Sequence, residues 1–439
     1  MSARRALALA AATATATAGT LVLAPAAQAK SITDYGFSGR AYGTKASVES
    51  ASVESARTVP AYLGCTRMAG VQRSNGLAST SAGEGAGLTL EGVDNDAWSY
   101  RTLKRVGTKS RSKVAKVVLG DPAGPHIAIS ALTTTSHAYA VRRTGKFGSG
   151  STFTSGPIDL ATGTPLDEVD GGINDLLAEI AAAGADGYEV PGLGVLRFGG
   201  KNNFVRPAMA NAAATALVVK LYGENTVEGG GDDIFVKVGK SRSTILRNLV
   251  AGVLRGKAVP VNPSTIADGL VTVGRVIDHP LPCQGTGGDV RTESLAALDL
   301  GNAGALEADG LAGRVWGVQR RDRSAKAWTE GTVATLNLGG GQVVVKGIRG
   351  RATVATSPRG AILQRSIKGS QIGSLVVDGE ERALPADGDI EIPGLAKLEF
   401  FKTVRSKRGL RVAALRVTLL DGSGAVIDLG EARTYIARY

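Results

Sequence analysis

Ile390-Glu391-Ile392-Pro393-Gly394-Leu395-Ala396-Lys397-Leu398-Glu399-Phe400 has a second copy in this chain, 202 positions earlier: Tyr188-Glu189-Val190-Pro191-Gly192-Leu193-Gly194-Val195-Leu196-Arg197-Phe198. In each copy a Pro-Gly pair separates two short runs in which apolar and polar residues alternate. Alternation sends successive side chains to opposite faces of an extended strand. Pro fixes φ at the first corner of a turn and Gly accepts the positive φ of the second. The stretch therefore predicts strand, tight turn, strand, and its recurrence predicts an internal repeat.

Working outward, the repeat reappears at an offset of 218. Cys65, Gly70, Arg73, Leu77, Ala78, Gly83, Leu88 and Trp98 fall without gaps on Cys283, Gly288, Arg291, Leu295, Ala296, Gly301, Leu306 and Trp316. The closing strands also correspond: Ala216 to Leu221 answers Ala414 to Leu419, and Gly239, Arg242 and Ile245 answer Gly430, Arg433 and Ile436. The first repeat alone carries an insertion near 173–183. There Ile173, Leu176, Leu177 and Ile180 recur at helical spacing with Gly184 as a stop, which predicts a short amphipathic helix. Arg255 to Gly269 holds Pro260 and Pro263 and reads as a linker, and residues 245–254 place Leu246, Leu249, Val250 and Val253 on one helical face.

The expected organisation is a mainly β protein of two tandem, homologous, antiparallel β-sandwich-like repeats. The first spans residues 30–254 and contains the helical insertion, 255–269 link the repeats, and the second spans 270–439. A sandwich is expected over a barrel because alternating strands need a second layer to cover their apolar face. High glycine (60 residues) and few aromatics (5%) suit many short, turn-rich strands.

Residues 1–29 read as an export signal. Arg4 and Arg5 precede an uncharged stretch from Ala6 to Leu23, and Ala27-Gln28-Ala29 is an A-x-A cleavage site before Lys30. Loss of Arg4 and Arg5 lowers the formal charge from +12 to +10. No later run approaches the ~18 uncharged apolar residues of a membrane helix, so the mature chain is expected outside the cell, free or associated with the wall. The two cysteines, Cys65 and Cys283, occupy equivalent repeat positions. In an exported protein an even pair favours a disulfide, which here requires the two to meet near a pseudo-twofold axis; two buried thiols are the alternative.

Leu375-Val376-Val377-Asp378-Gly379, the stretch through Leu384-Pro385, the turn Ile392-Pro393-Gly394-Leu395 and the closing strands to Ile436 resemble the actinobacterial choice-of-anchor P family of exported proteins. The Cys65 and Cys283 segments look like that family's cysteine-containing early strands. The resemblance implies a shared ectodomain attached to cells in different ways. It implies no particular activity, substrate or catalytic residue. This chain shows no recognisable anchor segment.

Motifs that carry chemistry are scarce. His126, His137 and His279 lack metal-ligand spacing, and no serine sits in a G-x-S-x-G elbow. Gly239-Lys240-Ser241 imitates the end of a phosphate loop, but Ile234 stands where its first glycine belongs. Asp94-Asn95-Asp96 lacks the glycine and distal glutamate of a calcium loop, and Asp232-Asp233 is the other acidic pair. We therefore expect no catalytic residue, metal or cofactor. A secreted glycan hydrolase or carbohydrate-binding module is the alternative; the hydrolase would need two carboxylates facing across a cleft.

The basic residues are the positive signal. Arg101, Lys104, Arg105, Lys109, Arg111, Lys113 and Lys116 follow Trp98; Arg314, Arg320, Arg321, Arg323 and Lys326 cluster around Trp316; Lys402, Arg405, Lys407, Arg408 and Arg411 form a third cluster. Arg105, Arg111, Lys113, Arg320, Arg321 and Arg323 are the candidate residues for an anionic polymer of the cell wall or a membrane surface, with a merely hydrated hairpin as the alternative. Nucleic acid is not an expected partner, since no reader motif is present.

Overall fold

The computed structural model describes residues 30–48, 59–82, 88–120, 126–156, 158–161, 187–190, 194–221, 234–265, 277–299, 306–384, 388–420, 422 and 424–437. No described residue is helical. The predicted helix near 173–183 lies outside the described residues.

The first half contains β1 (Ser31–Val48), β2 (Ala61–Ala69), β3 (Gln72–Ala82), β4 (Leu88–Arg101), β5 (Arg105–Gly120), β6 (His126–Val141), β7 (Phe147–Thr154), β8 (Ile158–Ala161), β9 (Tyr188–Val190), β10 (Gly194–Phe198), β11 (Lys201–Arg206), β12 (Met209–Leu221) and β13 (Ile234–Leu246). The second contains β14 (Val253–Thr265), β15 (His279–Pro280), β16 (Arg291–Asp299), β17 (Leu306–Gln319), β18 (Ala325–Leu338), β19 (Val343–Thr356), β20 (Ile362–Ser366), β21 (Ser374–Val377), β22 (Glu380–Arg382), β23 (Asp389–Ile392), β24 (Ala396–Ser406), β25 (Gly409–Leu419) and β26 (Val426–Ala437).

Four antiparallel sheets result. Sheet A has the order β2-β1-β13-β12-β10-β9, with β11 beside β12, and sheet B the order β3-β4-β5-β6-β7, with β8 beside β6. Sheet C runs β15-β14-β26-β25-β24-β23, and sheet D runs β16-β17-β18-β19-β21-β22, with β20 beside β19. Writing β14, β26 and β25 for β1, β13 and β12 turns the order of A into that of C, and β16 to β21 replace β3 to β8 in the same way.

Sheets A and B share cores in which Leu90, Val114, Ile129 and Leu132 face Leu196, Leu217, Val219 and Val238, and a second cluster gathers Phe37, Val106 and Ile245. Sheets C and D do the same through Leu336, Val345, Leu398, Leu415 and Leu429, and through Leu254, Val315, Val354 and Ile436. Between the two clusters of each half the sheets approach closely on small residues. Ser110 Oγ donates to the Arg242 carbonyl of the facing sheet at 2.8 Å, and Ser136 Oγ lies 3.0 Å from Ser243 Oγ. In the second half a Cβ on Gly350 would overlap the Gly430 carbonyl. This narrow waist gives the abundant glycine and serine a physical reason.

The second copy forms the predicted strand-turn-strand, and in the first copy the two flanking strands pair antiparallel. Leu196 pairs with Tyr188 in one copy and Leu398 with Ile390 in the other. Gly394 has φ 73°, and Leu395 N donates to the Ile392 carbonyl at 3.1 Å. Gly92 (φ 57°) and Gly310 (φ 60°), also 218 apart, both sit where the ladder skips a pair. A positive φ at such a position favours glycine, which has no Cβ to clash.

Two sequence expectations are corrected. Residues 255–269, read as a linker, carry β14 as far as Thr265; Val261 pairs with Leu429, Pro263 pairs with Ile427, and the strand lies between the two-residue β15 and β26 in sheet C. Residues 245–254 are not a helix. β13 runs to Leu246, β14 begins at Val253, and 247–252 make the crossing. Leu246, Leu249 and Val253 have helical spacing because strand end, crossing and strand start bury them in one cluster with Met209 and Ala437. That cluster encloses the Cys65–Cys283 disulfide, whose Cα atoms are 5.5 Å apart. Gln319 closes it, accepting from Ala251 N at 2.8 Å and donating to the Cys283 carbonyl at 3.3 Å.

Candidate anionic-polymer interface

The turns that link long neighbouring strands at one end of each half are basic. In the first half these are Arg101-Thr102-Leu103-Lys104-Arg105 between β4 and β5 and Arg142-Arg143-Thr144-Gly145-Lys146 between β6 and β7. They are bonded to each other: Arg142 N donates to the Lys104 carbonyl at 3.0 Å. Arg247, at the end of sheet A, stacks its guanidinium 4.9 Å from the Phe147 ring and ties both sheets to that end. In the second half, Arg320-Arg321-Asp322-Arg323-Ser324 joins β17 to β18, Arg359 lies between β19 and β20, and Ser406-Lys407-Arg408 joins β24 to β25. Arg365 Nη1 donates to the Ser406 carbonyl at 2.6 Å, linking sheets D and C there. Both ends adjoin the crossing at 247–252, through Arg247 in the first half and Gln319 in the second. At the opposite end of the second half stand Glu307, Asp378, Glu380, Glu381 and Asp389, all exposed.

The predicted residues divide between two places. Arg105, Arg320, Arg321 and Arg323 lie at the basic end and are exposed. Arg323 has φ 69°, and the turn is held by Asp322 Oδ1, which accepts from Ser324 N at 2.8 Å and Ser324 Oγ at 2.7 Å. These bonds hold the Asp322 carboxyl below its ordinary pKa. Arg111 and Lys113 are instead on the face of sheet B. Arg111 Nη2 donates to buried Asp96 at 2.5 Å, and Lys113 sits opposite Asp94. Sequence reading missed Arg142, Arg143, Lys146, Arg247 and Arg359, whose clustering depends on turns far apart in the chain.

The outer face of sheet B next to the basic end is aromatic. The Tyr100 hydroxyl and His137 Nε2 are 2.5 Å apart, the His137 and Tyr139 rings are 4.8 Å apart, and Arg105 lies 4.4 Å over Tyr139. Burial, then the charges of Lys109 and Arg105, lower the His137 pKa to about 4. Burial raises that of Tyr100. An unfolded histidine titrates near ~6.5. The unfolded chain therefore takes up this proton first, so stability is fully present above about 6.5 and is lost as pH falls toward 4. The imidazole is partly exposed, and screening reduces the loss to about 1–2 kcal/mol. Urea midpoints are expected to fall between pH 7 and 4.5, and His137→Gln to flatten that fall. An unchanged slope in the variant would assign it to other groups.

The corresponding face of sheet D carries Trp316 and Trp328, nearly parallel (13°) with centroids 6.3 Å apart, and Arg351 lies 4.0 Å over Trp328. Trp316 Nε1 donates to the Gly288 carbonyl at 2.6 Å. Glu330, 3% exposed, holds Arg314 at 3.5 Å and Arg351 at 3.6 Å.

The outer faces of sheets A and C differ sharply in charge. In C, buried Asp428 and Glu431 are bonded to Arg411, Arg416 and Arg433. In A, at the same places about the paired glycines Gly239 and Gly430, stand Lys237 and Lys240. Burial, then Arg40, Lys237, Arg242 and Lys45, lower the Lys240 pKa to about 8. Among the described residues, no three of His, Cys, Asp and Glu group as they would around a metal ion, and no helix is long and apolar enough to cross a membrane.

Fold and site together define an all-β protein of four antiparallel sheets, with cations gathered at one end of each half. No family model, no curated protein and no solved structure matches this chain.

Proposed function

We propose that this is an exported binding protein, not an enzyme, that is retained on anionic cell-wall polymers by its basic end. The observation that carries the reading is the convergence of the basic turns, in which Asp322 is the one acid among Arg101 to Arg105, Arg142 to Lys146, Arg320 to Ser324 and Ser406 to Arg408. Such a surface attracts a polyanion by sign alone and needs no shaped pocket. The export signal at residues 1–29 and the resemblance to choice-of-anchor P proteins fit a protein met at the cell surface. We read its two halves as copies of one unit, from the matched sequence positions and the shared strand order.

Attraction of this kind is screened over about 8 Å at physiological ionic strength. The protein is therefore expected both in the medium and on the wall, and the wall fraction should wash off in molar salt. The triple variant Arg320→Glu, Arg321→Glu, Arg323→Glu should lower retention several-fold at low salt. Equal retention in dilute buffer and molar salt would rule the electrostatic reading out.

A further inference from the structure

The outer face of sheet D holds an open groove of about 380 Å³, lined by Trp316, Lys326, Trp328, Arg351, Thr353, Gln364, Ser366 and Lys368. Strand register makes it. Trp316 pairs with Trp328, Trp328 with Thr353, and Thr353 with Ser366, so one row crosses β17, β18, β19 and β20. Lys326 lies two residues along β18 on one side of this row, and Arg351 two residues along β19 on the other.

The walls are held before any ligand arrives. The Trp316 indole is fixed by the Gly288 carbonyl, Trp328 lies between Trp316 and Arg351, and the Arg351 guanidinium is steadied by buried Glu330. No carboxylate lines the groove, while three cations do. Glu330 already serves two guanidinium groups. The volume is at the small end of the ~300–1,000 Å³ typical of ligand clefts, room for one or two sugar rings.

We propose that this groove binds an acidic pyranose unit, a uronic acid residue of a surface polysaccharide. The inference rests on the reading of the protein as a binder of anionic surface polymers, and names the unit recognised. The Trp316 and Trp328 indoles supply apolar surface beside the cations, against which a rigid sugar ring packs better than a flexible polyol phosphate. Arg351, Lys326 and Lys368 meet the carboxylate, and Gln364 and Ser366 offer amide and hydroxyl partners to ring hydroxyls.

The test uses the full mature chain and tetragalacturonate, its methyl ester, a glycerol phosphate oligomer and a short oligothymidylate, followed by tryptophan fluorescence and calorimetry at 0.15 M salt. Tetragalacturonate is expected to bind saturably, and its methyl ester at least tenfold more weakly. Lys326→Gln with Lys368→Gln should weaken binding at least tenfold, and by more than the Arg320, Arg321, Arg323 charge-reversed variant does at 0.15 M salt. No saturable binding, equal binding of the ester, tighter binding of the phosphate oligomer or oligothymidylate, or indifference to the lysine variants would overturn the proposal. Salt-sensitive retention without tetragalacturonate binding would sink the groove alone. Groove binding with salt-insensitive retention would sink the electrostatic reading and leave the groove standing.

Discussion

Reducing the Cys65–Cys283 disulfide, or replacing both cysteines by serine, is expected to cause one of the two largest losses of stability available in this protein. The bridge spans 218 residues of sequence and joins β2 of the first half to the segment before β16 of the second. While it is intact, unfolding the first half leaves a chain tethered at both ends. In the chain-entropy account a loop of this length corresponds to about 5 kcal/mol, and measured bridges more often give about 2–4 kcal/mol. The sulfurs are hard to reach, since Cys65 and Cys283 are 8% and 4% exposed among Leu246, Leu249, Val253 and Ala437. Reduction should therefore be slow in native buffer and fast in mild urea. Urea unfolding with and without reductant checks this, with thiol counting to prove full reduction. A midpoint unmoved in the fully reduced protein, and in the double serine variant, would show that the bridge constrains nothing.

The second large effect is expected at Asp428. Its carboxylate is wholly buried on the outer face of sheet C, accepting from Arg416 Nε and Arg411 Nη2, each at 2.6 Å. Arg416 has its pKa raised first by that hydrogen bond. The bonds set the two guanidinium groups beside one carboxylate, with Glu431 taking the other side of Arg411 at 3.2 Å. Asp428→Asn keeps the shape and removes the charge, leaving two neighbouring cations with half their compensation. Breaking a buried pair in this way typically costs about 3–5 kcal/mol. The exposed pair Asp389–Lys397 is the control, and Asp389→Asn should change the midpoint little. A loss at Asp428 no greater than at Asp389 would mean that the arginines find water instead.

The balanced network in sheet C and the basic face in sheet A occupy matching places, yet differ in sign at two positions. Repetition of a sequence fixes where strands and bulges fall, because alternation, the Pro-Gly turn and positive-φ glycines are local demands of the backbone. It leaves the outward positions free. There the two halves differ: sheet D carries Trp328 with Arg351, and sheet B carries His137 with Tyr139.

Local chemistry was enough to read the mainly β class, the strand-turn-strand at 390–400, the paired strands at 188–190 and 194–198, and the pairing candidates Cys65 and Cys283. Each follows from residues near one another in sequence, or from matched positions in the two halves of the sequence. Local chemistry misled at 245–265. Helical spacing of Leu246, Leu249 and Val253, and prolines at 260 and 263, are compatible with helix and linker until sheet C supplies β26 as a partner for β14. Tertiary structure alone decided the basic end and the groove. In the first half the β4–β5 and β6–β7 turns meet because antiparallel strands return every second turn to the same end, whatever the sequence distance between them. Trp316, Trp328, Thr353 and Ser366 form one row because register, set across three ladders, is a property of paired strands and of no single one.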